Sequence, residues 1–151
     1  MNSRHTPTRR RLLRATLQTL GLGALGLASM GHATEPVPVL IAHAGLPKAD
    51  AATIARLYTG RAIELGGQVV TVVNAATGSA LRARFLSSVL QQDEERYRAY
   101  WTVRRHVGKG APPRELASSS EVIEFVQSTP GAIGYVDASE LRPGLNIVLR
   151  P

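Results

Sequence analysis

Between residues 69 and 90 the hydrophobic pattern changes its period. Val69-Val70-Thr71-Val72-Val73 is a β-branched run almost without polar interruption, the pattern of a strand buried on both faces. Leu81, Phe85, Leu86, Val89 and Leu90 then recur at three- and four-residue spacing, which is one face of a helix. Between them Asn74-Ala75-Ala76-Thr77-Gly78-Ser79 is a turn of small residues, with Thr77 or Ser79 placed to cap the helix. A strand that feeds a helix through so short a turn presents unpaired N–H groups and the positive end of the helix dipole, which favour an anion. An ordinary capped helix is the other reading of the same spacing.

The flanking pattern extends this unit. Val37 to His43 reads as a first strand, and Asp50 caps a helix bearing Ala51, Ile54, Ala55, Leu57 and Tyr58, closed at Thr59-Gly60. Gly66-Gly67 turns the chain into the Val69 strand. Asp93, followed by Glu94 and Glu95, starts a helix whose Tyr97, Tyr100 and Trp101 share one face, the spacing of a core stripe, and Arg104-Arg105-His106 ends it. Residues 107–113 (VGKGAPP) read as loop without the frame of a P-loop. Ser118 and Glu121 form a capping box ahead of Val122, Ile123, Phe125 and Val126. Ala132 to Val136 is a strand whose Gly134 signals close backbone approach, and Ile147 to Leu149 is a last edge strand. This order predicts an α/β, three-layer domain with a mostly parallel sheet.

Charge changes meaning along the chain. Residues 1–33 combine Arg4, Arg9, Arg10, Arg11 and Arg14 with an apolar, Gly-rich stretch and a small-residue site ending at Ala33, the plan of a signal peptide for export to the periplasm. Thr8-Arg9-Arg10-Arg11-Leu12-Leu13 also resembles a twin-arginine motif, and the general secretory and twin-arginine routes both stay open. The formal net charge is +7, but the first 33 residues hold five of the 18 basic residues and none of the 11 acidic ones. Residues 34–151, the expected mature domain, therefore carry only +2, which gives no support to nucleic-acid binding.

Chemistry is sparse. The chain has no cysteine, so disulfides, thiol catalysis and thiolate metal sites are excluded. His43 and His106 form no metal spacing, no Gly-x-Ser-x-Gly elbow exists, and no nucleophile–base–orienter set can be assembled. A non-enzymatic protein without a metal or cofactor is expected.

Several blocks resemble the substrate-binding proteins of phosphate ABC importers, specifically the second lobe of their two-lobed, type 2 periplasmic-binding-protein fold. Residues 54–61 (IARLYTGR) are similar to a helix end of that family, and Val69 to Phe85 to its strand, Gly-Ser-Gly-Thr turn and helix. Gly131-Ala132-Ile133-Gly134-Tyr135-Val136 resembles the closing strand, while Tyr100-Trp101 and residues 108–113 look like small stand-alone members. The resemblance spans about residues 37–149. It implies one lobe of that fold, with phosphate or a similar small oxyanion held at Thr77, Gly78, Ser79, Ala80 and Leu81, and no reaction on the ligand.

The departures are as specific as the matches. Ala80 and Leu81 stand where the family's Gly and Thr belong, Thr77 takes the Asp place, and Asn74 and Ala75 lie near the Arg place. Arg82 or Arg84, one turn later, is the candidate substitute. A single lobe also leaves its ligand half solvated unless a homodimer or another chain supplies the opposite wall. Two functions follow: an oxyanion-binding protein working with a membrane permease, or a lobe that has lost its ligand and serves as an interaction or sensory module.

Overall fold

Among the described residues every α-helix starts at a short polar side chain that accepts a backbone N–H from its own first turn. The computed structural model describes residues 34–151, so the expected leader lies outside the described residues. Asp50 caps α1 (Ala51–Tyr58), Ser79 caps α2 (Ala80–Ser88), Asp93 caps α3 (Glu94–His106) and Ser118 caps α4 (Ser119–Ser128). The strands are β1 (Pro38–Ala42), β2 (Glu64–Leu65), β3 (Gln68–Val69), β4 (Thr71–Ala75), β5 (Arg114–Leu116), β6 (Ala132–Asp137) and β7 (Asn146–Leu149).

Five strands form one sheet in the order β5-β4-β6-β1-β7. Alternation of side chains across it builds two cores. Leu40, Ile133 and Tyr135 face α1, α2 and α3, while Ile41, Val73 and Val136 face α4, which gives the three layers. Four of the five strands run the same way, as the mostly parallel expectation has it, and one reversed strand makes the sheet mixed. β4 pairs in parallel with β5 and β6, but β1 runs against both neighbours, β6 and β7. β1 alone is reversed, and hydrophobic pattern carries no information about strand direction. At Gly134 an added Cβ would lie 2.5 Å from Val122 Cγ1 and 3.0 Å from Val73 Cγ2. The close approach there is by side chains of α4 and β4, not by backbone.

The β-branched run is the second correction. Gly66 and Gly67, both at positive φ, fold β3 back on β2, so Val69 pairs with Glu64 and is 64% exposed. The run is broken at Val70, whose N–H goes to Ile63 O, and the buried part is Val73-Asn74. The three-residue β5 was not legible either, because it is too short to show a period and falls between the loop at residues 107–113 and the Ser118 cap.

Candidate functional site at the start of the second helix

The parallel strands β4, β5 and β6 end together at Ala75, Leu116 and Asp137. The chain leaves β4 into α2 on one face and leaves β5 into α4 on the other. Such a reversal opens a crevice at the carboxyl ends of the strands, the usual place for a ligand in open α/β sheets. A cavity of about 290 Å³ lies there, lined by the cap Ser79 and Leu81 at the start of α2, the cap Ser118 and Ser119 at the start of α4, and Tyr135, Asp137 and Glu140.

The five residues expected to hold an anion divide between two flanks of the turn. On the α4 flank, Ser79 Oγ accepts the Arg82 N–H at 3.3 Å and leaves its own hydrogen free to donate. Ala80 and Leu81 are the first two residues of α2, so their N–H groups have no acceptor within the helix. Gly78, at φ +85, shapes the turn and is exposed. On the α3 flank, Thr77 is already engaged: Glu115 Oε2 accepts its N–H at 3.1 Å and Glu115 Oε1 accepts its hydroxyl at 2.7 Å. Thr77 therefore does not line the cavity with Ser79.

Glu115 belongs to a cluster built around Arg82, a buried guanidinium 3% exposed. Arg82 Nε and Nη2 donate to the two oxygens of Glu94 at 2.8 Å each, a bidentate pair. Its Nη1 donates to Glu115 Oε1 at 2.6 Å and to Ala75 O at 3.0 Å. Burial works to raise the Glu115 pKa, but donation from Thr77 and the charge of Arg82 outweigh it and hold the carboxyl below its ordinary value. Burial likewise opposes the Arg82 charge, and Glu94 and Glu115 more than restore it. The candidate cation thus points away from the open α2 start, towards its own carboxylates. Arg84 reaches Glu35 at 3.4 Å on the surface instead.

Beneath the turn lies a buried polar floor. Asn74, 1% exposed, donates to Tyr97 Oη and accepts from Tyr135 Oη, both at 3.2 Å. Tyr97 Oη donates to Tyr58 O, Tyr58 Oη donates to Val73 O, and Tyr135 Oη accepts the Ala75 N–H. Burial pushes all three phenols above their ordinary pKa. They stay neutral at physiological pH and position the turn; they are not poised as bases. Among the described residues no group of His, Asp and Glu could hold a metal ion.

No protein-family model and no curated protein sequence matches the chain. Solved structures do. A candidate phosphate ABC transporter substrate-binding protein from Clostridium perfringens, solved with bound phosphate, superposes with a TM-score of 0.59 at 20% identity, over 75% of this chain and 44% of that one. The fold is that of about one lobe of such a binding protein. An ABC-type phosphate transport receptor from Vibrio cholerae gives 0.58 at 14% identity, and PstS from Borrelia burgdorferi gives 0.57 at 18%. Each is matched over 75% of this chain and under half of its own length, 45% and 46%. The likeness bears out the resemblance in fold.

Glu94 and Glu115 are the site residues that sequence reasoning missed. Glu94 looks like first-turn dipole stabilisation, and Glu115 falls in a stretch with no periodic pattern. Arg82, Glu94 and Glu115 share no spacing rule, since the parallel pairing of β4 with β5 brings in Glu115 and the packing of α3 beside α2 brings in Glu94.

Proposed function

We propose that the protein is a non-catalytic binding lobe, exported to the periplasm through residues 1–33, that holds a small oxyanion of the phosphate class at the start of α2. The observation that carries this reading is the pair of unpartnered N–H groups of Ala80 and Leu81 beside the Ser79 hydroxyl, at the switch point of the sheet. The fold likeness to phosphate-transport receptors supports it. Asp137 and Glu140 line the same cavity, and ionised carboxylates only accept hydrogen bonds. Hydrogen phosphate can donate its own proton to such an acceptor; sulfate at neutral pH cannot. The site therefore favours a protonated oxyanion, and a second chain, either a homodimer partner or a permease, closes its open side.

The test is thermal unfolding with phosphate, sulfate and chloride titrated at matched ionic strength. Ligand at a thousand times its dissociation constant stabilises by about 4 kcal/mol, a shift of many degrees for a domain of this size. A saturable rise with phosphate alone is expected, and Ser79→Ala should weaken it. No rise at any concentration would sink the reading.

The second reading, a lobe that has given up its ligand and acts as an interaction or sensory module, is favoured by one observation. Thr77 and Arg82 donate to Glu115 rather than to anything outside, and no cation lines the α4-side cavity. Specific capture of a permease or sensor ectodomain, together with a flat phosphate titration, would favour it.

A further inference from the structure

Arg98, Thr102 and Arg105 stand at i, i+4 and i+7 of α3, so they form one stripe about 10 Å long. That stripe borders a second cavity, of about 220 Å³, between α3, the loop before β5 and the Thr77 turn. Among the described residues neither the Arg98 nor the Arg105 guanidinium makes a hydrogen bond or ion pair. Glu115, the carboxylate across the cavity, already accepts three bonds from Thr77 and Arg82, so it is poorly placed to neutralise them. Trp101 and Pro112 supply an apolar wall. The Trp101 indole N–H, although beside the Tyr97 hydroxyl, is buried and makes no well-formed hydrogen bond. The cavity thus joins unneutralised positive charge to a flat apolar surface in a space smaller than most drug-sized sites.

We propose that this cavity is a second ligand site, for a small anion with a planar apolar body: an aromatic carboxylate or phosphate monoester whose charge meets Arg98 and Arg105 and whose ring packs against Trp101 and Pro112. It is separate from the oxyanion position at Ser79, which opens on the α4 side of the turn. Trp101 is the only tryptophan, so a ¹⁵N-correlated spectrum contains one indole N–H peak that reports on the site. Benzoate and phenyl phosphate should each move that peak saturably, and benzyl alcohol at equal concentration should not. The double variant Arg98→Ala/Arg105→Ala, at exposed positions, should bind at least roughly tenfold more weakly, as loss of charge-assisted bonds requires. Ser79→Ala should leave the benzoate titration unchanged. A peak that neither anion moves, or an equal response in the double variant, overturns the proposal. A response to benzoate but not phenyl phosphate assigns the site to carboxylates, and the reverse assigns it to phosphate monoesters.

Discussion

The two flanks of the β4–α2 turn are made from adjacent residues and solve the same electrostatic problem in opposite ways. On the α3 flank, the N–H and hydroxyl of Thr77 and the Arg82 guanidinium converge on Glu115, so the chain supplies its own anion. On the α4 flank, Ala80 and Leu81 keep their N–H groups free and Asp137 and Glu140 stand back as acceptors. The contrast teaches that a helix start becomes a ligand site only where the fold does not fill it from within. Two residues of sequence, Thr77 and Ser79, separate donors met by a carboxylate of the same chain from N–H groups that the helix leaves unpaired.

The largest break in this comparison is Arg82→Met, which strands Glu94 and Glu115 without their shared partner. Removing one side of a buried ion pair costs about 3–5 kcal/mol. Glu94 and Glu115 are 29% and 45% exposed, however, and regain water when released, so about 2–3 kcal/mol is expected. Urea denaturation measures it, and a loss under about 1 kcal/mol would show that the cluster does not hold the turn.

Much of the fold was legible because local rules agreed with burial. The caps at Asp50, Ser79, Asp93 and Ser118 and the Tyr97/Trp101 stripe sit where spacing put them, with both aromatic residues buried. What failed was non-local. The reversal of β1 depends on its neighbours, and the break at Val70 depends on Gly66-Gly67 folding β3 onto β2, which the β-branched run does not signal. At the candidate site Ser79 was found as a cap, whereas the role of Glu115 depends on β5 lying beside β4. No residue near Arg82 in sequence announces that it is neutralised.

A middle-sized effect comes from Glu115→Gln, read as a function of pH. The folded-state pKa of Glu115 lies below its ordinary value of 4.5. The carboxylate therefore contributes stability that is fully present above that value and lost as pH falls through the folded one. At neutral pH the variant should be less stable by about 1 kcal/mol, a figure reduced because the side chain is 45% exposed. The difference from wild type should shrink as pH drops below the carboxylate range. A difference that stays constant between pH 7 and 3 would mean that shape, not charge, holds Glu115 on Thr77.

The smallest effect separates the flanks most sharply. Thr77→Val removes the hydroxyl that donates to Glu115 at 2.7 Å but keeps the backbone N–H and the shape. The position is exposed and the lost bond is one of three to that carboxylate, so about 0.5–1 kcal/mol of stability is expected to go. Ser79→Ala should cost a similar amount through its cap, about 1 kcal/mol. Stability alone cannot tell the two variants apart; phosphate can. If the α3 flank is closed and the α4 flank open, Thr77→Val keeps the wild-type phosphate titration while Ser79→Ala weakens it. Equal weakening by both would mean that an external anion displaces Glu115 and that the two flanks form a single site.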